Sequence, residues 1–515
     1  MRLSRLHFLA VLCCLVTFTT LSGQTAVDVL ELPYGDYAVG YRHTTMFDRS
    51  RTYRRYQNFA LAASARPVPV GIWYPARQRE AEVERMTVLD YLRVKKDEEE
   101  WESLPDSLIL GWFDLPDNPR NRNRIKEKAR AVMGAQPASG PYPVVVYAAS
   151  FLASSTENFA LCEFLASHGY IVLAIPGRGA NDRPMRGSAA LNAEAQARDL
   201  EFVMARVQNL ASADPDRIAL MDYSFGGLAT TMVALRNERV KALVSLDGRS
   251  RYDYENIYAS PTVQGRNLDV PFFHAAQKII PDEVLIADGI DPTLNTEFRL
   301  FDSLRASPAY ALRFHDLSHR HFSSYGLLLK DGDARQDRSD ERTTTSHRLL
   351  NRYVLSFLER HLRNEEASGQ LLDTASADGG MTGELVTVET KNLETIPQLP
   401  SFGAFHDAVR KVGYDGLAET YAEFRQRQPN FTIAEWKLNT LGLQLGFAAA
   451  TYADGVAIYE FALSLYPDSA NLWDSLGLVH QVNGDFAAAR ASYRKSLALN
   501  PGNGHARMRL GQLGE

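Results

Sequence analysis

RIALMDYSFGGLAT, residues 217–230, is the stretch whose reading decides the fold. Its first half is a nearly continuous apolar run, as expected of a strand covered on both faces. From Gly226 onward it has the small and apolar residues of a buried helix. A strand that passes into a helix over so few residues must turn sharply, and Ser224 stands at the turn. Such a turn holds a hydroxyl above the sheet, beside a helix N-terminus whose dipole favours developing negative charge. A capping serine also suits a strand-to-helix junction. Ser224 is therefore judged by what surrounds it, and by Asp222, an acid where the turn usually takes glycine.

Working outward, the same kind of apolar run recurs at 67–74, 143–149, 171–176, 241–247, 270–276 and 309–317, alternating with longer helical patterns that end in a helix at 346–362. That alternation predicts an α/β domain over 27–365, with a mainly parallel sheet and helices on both faces. Asp247 ends the run KALVSLD, so it leaves the same carboxyl edge of the sheet as Ser224. His319 follows the last strand, in HDLSHRHF. Serine, acid and histidine in this chain order suit a nucleophile, an orienting carboxylate and a general base. Asp282, after VPFFHAA, is the alternative acid.

With these motifs in place, the segment of about 34–362 resembles the platelet-activating factor acetylhydrolases and their bacterial dienelactone-hydrolase-like relatives, which are α/β-hydrolases. The resemblance rests on RPVPVGIWYPA (66–76), PVVVY followed by FALCEFLASHGYIVLAIPGRG (159–179), DYSFGG, SLD and SHRHFSSY. It implies a serine esterase without metal or organic cofactor, with Ser224, Asp247 and His319 as catalytic residues. It also implies an oxyanion hole from the backbone amides of Phe151 and Phe225. Where the family has His-Gly after the strand, this chain has Ala149-Ser150, and a lost oxyanion donor costs about 10²- to 10³-fold in turnover.

Asp222 is the second departure. A carboxylate ~7 Å from an oxyanion opposes it by about 2 kcal/mol at an effective dielectric near 20, which slows an enzyme without abolishing catalysis. Its Cβ in a tight elbow is the sharper objection. Two further patterns imitate other sites. His315, His319 and His321 cluster in sequence without a completing carboxylate or cysteine pattern for a metal, and PGRGAND (176–182) approximates a dinucleotide loop but has Asp182 at the third glycine position.

At 515 residues, the chain is long enough for two or more domains, and 45% apolar with 23% charged residues is ordinary for globular protein. Residues 1–26 begin with Arg2 and Arg5, continue through an apolar run and end in SGQTA, the pattern of a secretory signal peptide. The run is short for a membrane span. An exported protein, periplasmic or extracellular, is the expectation. Cys13 and Cys14 lie in that leader, which leaves Cys162 without a disulfide partner. A net charge of −6, or −8 once the two arginines of the leader are gone, argues against nucleic acid as a partner. The basic segment RNRNRIKEKAR (120–130) is read as a solvated helix face.

Residues 77–141 form a charged insertion, either a lid or a surface excursion. Residues 366–402 read as a linker with one strand. From 403 to 515 the pattern changes: Tyr421 and Pro429, Tyr459 and Pro467, and Tyr493 and Pro501 share a spacing of eight, and the last two pairs are 34 residues apart. This resembles tetratricopeptide repeats, with a degenerate first copy and a capping helix after Gly504. The whole predicts an exported serine esterase for short acyl chains, acting on a small-molecule or lipid ester, with repeats for a protein partner or self-association. The alternative is an impaired hydrolase domain that supports a binding or scaffold protein through its repeats.

Overall fold

The computed structural model describes residues 25–53, 64–77, 84–258, 260–263, 267–287, 289–305, 307–330, 340–374, 381–391 and 401–514. The signal-peptide expectation falls almost wholly on 1–24, outside the described residues, as do parts of the 366–402 segment. Among the described residues, no helix is long and apolar enough to cross a membrane. The chain divides into two units: Met1–Arg186, Phe202–Pro215 and Asp316–Leu355, and then Gly187–Glu201, Asp216–His315 and Ser356–Glu515.

In the first unit, β1 (Ala38–Tyr53) and β2 (Ser64–Ala76) form a long antiparallel pair, and β3 (Val132–Met133) lies parallel to β1. β4 (Tyr142–Ala148) and β5 (Ile171–Ile175) are parallel, with β2 antiparallel to β5, in the order β4-β5-β2-β1-β3. Every residue of β4 and β5 is buried, which is why both are plain as apolar runs. β1 was not anticipated. Only Val39–Tyr41, Asp48 and Tyr53 are buried and the rest of its length is exposed or half-buried, so it carries no continuous apolar signal.

Helix α1 (Val88–Glu98) lies in the 77–141 insertion and starts at a capping box made by Thr87 and Asp90. It buries Val88, Tyr91 and Leu92 completely. Tyr91 stacks on Phe159 at 4.4 Å, at the start of α2 (Phe159–Ser167), and its hydroxyl donates to Glu163 at 2.8 Å. This part of the insertion is core. The basic segment is acid-paired, through Arg122 with Asp117, Arg124 with Glu127 and Arg130 with Asp28.

In the second unit, β6 (Ala213–Tyr223, of which the unit holds Asp216 onward), β7 (Val240–Leu246), β8 (Phe272–Ala276) and β9 (Ala309–Phe314) run parallel. β10 (Val386–Lys391), the strand within the 366–402 segment, pairs antiparallel with β9. Helix α3 (Gly226–Arg236) follows β6 and is buried from Gly226 to Leu235.

The C-terminal helices form three antiparallel pairs and a final single helix. They are α4 (Phe402–Val412) with α5 (Leu417–Arg427), α6 (Glu435–Gly446) with α7 (Tyr452–Leu465), and α8 (Ala470–Val482) with α9 (Phe486–Leu499), followed by α10 (Gly504–Gln512). Close packing within the later pairs depends on glycine against tyrosine. A Cβ at Gly442 would lie 2.6 Å from the Tyr459 ring, and one at Gly477 would lie 2.7 Å from the Tyr493 ring. The first pair instead gathers Phe405, Phe424 and Phe431, which accounts for its weaker repeat signature. The repeats meet the chain around the amino ends of β6 to β8, where Arg410 pairs with Asp216 at 2.6 Å, Asp407 with Lys241 at 3.5 Å and Lys437 with Asp269 at 3.5 Å.

Candidate active site

Ser224 leaves β6 with φ 55°, a left-handed conformation that a non-glycine residue adopts at some cost and that recurs at functional turns. The backbone around it is tied down. Its amide donates to Leu246 O at 3.2 Å, and its carbonyl accepts from Gly227 N at 3.1 Å and Arg249 N at 2.7 Å. These bonds join the elbow to the first turn of α3 and to the exit of β7. Phe225, buried, is the N-cap residue of α3, so its amide belongs to the positive end of that helix.

Asp247 follows β7 directly, one parallel strand from the elbow, and it too has positive φ, at 46°. Its amide donates to Ala275 O at 2.6 Å and one carboxylate oxygen accepts from Gln277 N at 3.0 Å. Both bonds come from the neighbouring strand β8 and the residues after it, so the carboxylate is held at the sheet edge. Asp282, the alternative acid, is exposed at the start of a short helix and lies 3.4 Å from Asn295 Nδ2.

Asp222 is fully buried, and its carboxyl accepts from Thr230 Oγ1 at 2.6 Å and Ser245 Oγ at 2.9 Å. It thereby joins β6, α3 and β7. Its room comes from two glycines: a Cβ at Gly227 would lie 3.0 Å from Asp222 Oδ1, and one at Gly248 would lie 2.6 Å from it and 2.0 Å from Ser245 Oγ. The Cβ objection is thus met by glycine at neighbouring positions instead of at 222. Burial pushes the carboxyl up to about 7, against the two hydroxyl hydrogen bonds. Near neutral pH much of the repulsive charge anticipated from the sequence is therefore absent.

His319 and Phe151 lie in the first unit, Ser224, Phe225 and Asp247 in the second. His319 begins the 3-10 turn His319–Phe322, capped by Ser318. Phe322 at its end is buried, and its carbonyl accepts from Asn158 Nδ2 at 2.9 Å. His321 faces Ser318 N at 3.2 Å, and His315 faces Glu384 O and Thr387 Oγ1, so each neighbouring histidine has its own local partners. The glycine loop near Asp182 turns its carbonyls inward: Arg66 donates to Gly179 O at 2.6 Å and Ala180 O at 3.1 Å. A phosphate-binding loop presents amides, and this one presents carbonyls to a cation.

The loop after β4 carries Phe151 on a turn closed by Ala153 N to Ser150 O at 3.2 Å, with Leu152 at φ 54°. Glu157 holds its start, accepting from Ser150 N and Ser150 Oγ at 2.6 Å each and from Tyr147 OH at 2.9 Å. The Ser150 hydroxyl thus has a carboxylate partner. Gly177 packs against the turn, since a Cβ there would lie 2.1 Å from Ser150 O. Sequence reasoning missed Glu157, although it and Glu163 are the only acids in the stretch 143–176, which has no lysine or arginine to pair with them. Acids in such a setting must find donors or become neutral, and burial pushes both up to about 7.

Residues 131–268 match the family model described as PET hydrolase-like, and residues 470–503 match the tetratricopeptide repeat model. The chain joins an α/β-hydrolase domain to tetratricopeptide repeats. The hydrolase match spans Phe151, Asp222, Ser224, Phe225 and Asp247, and ends before His319. Among solved structures, a ferulic acid esterase from Streptomyces cinnamoneus is similar at 22% identity, over 65% of this chain and 93% of its own, with a TM-score of 0.48. No curated protein matches the chain.

Proposed function

We propose that the α/β-hydrolase domain is a serine esterase that cleaves carboxylic esters, with short acyl chains preferred. The observation that carries this is Ser224, held at positive φ between β6 and α3. Asp247, buried at the exit of the adjacent strand, and the PET hydrolase-like match support it. Ser224 attacks the acyl carbonyl, and His319 takes its proton and later gives it to the leaving alcohol. Asp247 sets the imidazole tautomer and stabilises the imidazolium. The amides of Phe151 and Phe225 receive the oxyanion. Water then attacks the acyl-enzyme, with His319 again as base, and releases the acid.

Export follows from the leader at 1–26, and the repeats serve a protein partner or self-association. A fluorophosphonate probe and p-nitrophenyl acetate, applied to the full chain and to Ser224→Ala, test the chemistry. The full chain is expected to label and turn over, and the variant to do neither. Equal labelling and equal turnover in both would sink the assignment.

A further inference from the structure

The turn that carries Phe151 is anchored a second time, from the insertion. Glu98, the last residue of α1, accepts from Ser154 Oγ at 2.6 Å and Ser155 N at 3.0 Å on one oxygen. On the other it accepts from Ser155 Oγ at 2.5 Å and faces His43 Nε2 at 3.2 Å. Thr156 Oγ1 donates to Tyr91 O at 3.1 Å, one α1 residue to the next loop residue. Residues 154–156 are thus fastened to α1, while Ser150 is fastened to Glu157. Between the two anchors stand only Phe151, Leu152 and Ala153.

The helix that makes this contact is not free to swing. Tyr91 donates to Glu163, accepts from Trp73 Nε1 at 3.0 Å and stacks on Phe159. Glu98 is itself buried, and burial pushes its carboxyl up, but His43, Ser154 and Ser155 together hold it below its ordinary value. It is therefore an ionised acceptor for hydroxyl and amide donors at neutral pH, and such charge-assisted bonds are the strong ones.

We propose that Glu98 is a positioning residue for the oxyanion loop, and that the insertion helix α1 is a fixed arm that sets the place of the Phe151 amide. This rests on the esterase function proposed above. A displaced donor weakens transition-state binding more than substrate binding, so the effect falls on kcat.

The test uses the full chain with Glu98→Gln, Ser155→Ala and the double variant, assayed with p-nitrophenyl acetate and the fluorophosphonate probe, with thermal unfolding followed alongside. Glu98→Gln is expected to lower kcat by up to about 10²-fold with KM within about twofold. Ser155→Ala is expected to lower kcat in the same direction, and the double variant to lose less than the product of the two single losses. Unchanged kcat in a folded Glu98→Gln overturns the proposal. If Glu98→Gln does not fold, Ser155→Ala decides, and unchanged kcat there overturns it. A full chain that neither labels nor turns over removes the esterase assignment and this proposal together. An active full chain with unaffected variants removes this proposal alone.

Discussion

In the repeats, Gly442 and Gly477 each face a tyrosine ring; at the elbow, Gly227 and Gly248 face the carboxyl of Asp222. Both regions use a missing Cβ to admit a larger side chain, yet only the first could be anticipated. The repeat glycines and tyrosines recur at a near-constant spacing, because each helical pair solves the same packing problem again. The elbow solves its problem once, with Gly248 contributed from the exit of another strand. A local rule that asks for glycine at position 222 therefore sees a departure where the fold has moved the glycine elsewhere.

The largest expected effect concerns what the elbow is for. Ser224→Ala should lower turnover of p-nitrophenyl acetate by at least about 10³-fold, while the unfolding midpoint moves little. Retained turnover would make the strained turn a structural feature only.

Gly248→Ala attacks the elbow's shared space. The added methyl must displace Ser245 Oγ or Asp222, so a loss of about 1–3 kcal/mol in stability is expected, together with a fall in kcat. Asp222→Ala in the same chain should recover part of the stability. Additive losses in a chemical denaturation series would show that the two residues do not share the space. Gly477→Ala is the counterpart in the repeats: overpacking against Tyr493 should cost a similar amount in the unfolding of the repeats, with esterase kcat unchanged.

The elbow also differs from the repeats in burying a carboxyl that titrates. Asp222 has a folded pKa of about 7 against an ordinary 3.8, so the native state binds the extra proton between these values. Its contribution is complete below about pH 4 and declines as the pH rises toward about 7. Asp222→Asn should therefore gain stability relative to the natural chain across that interval and hold a constant difference above it. Parallel stability curves for the two proteins from pH 4 to 7 would contradict the buried, proton-binding role. The smallest effect is expected of Arg410→Ala, which removes a half-exposed ion pair with Asp216 where the repeats meet the start of β6. A change of about 0–1 kcal/mol, shrinking with added salt, is expected from calorimetry.

Strands β4 to β9 were legible because residues covered on both faces must be apolar in succession, whereas β1 was not, since its exposed positions interrupt the run. In the candidate site, Ser224 and Asp247 were legible as strand-end residues on one sheet edge. Glu157 and Glu98 were not, because a buried acid reveals its purpose only through donors brought to it. Glu98 looked like part of the charged run KKDEEE, yet it points into Ser154 and Ser155 across 56 and 57 residues of sequence.

What the sequence determined by itself is whatever depends on periodicity and order: an α/β domain, a serine at a strand-to-helix turn, an acid at the next strand end, and helical repeats. What the tertiary structure decided is how the two irregular places are made to work. Asp222 fits because Thr230, Ser245, Gly227 and Gly248 converge on it, and the Phe151 turn is held because Glu157 and Glu98 grip it from both sides. Buried polar groups are stable only when their partners arrive, and Ser245 for Asp222 and Glu98 for Ser154 and Ser155 arrive from elements distant in the chain.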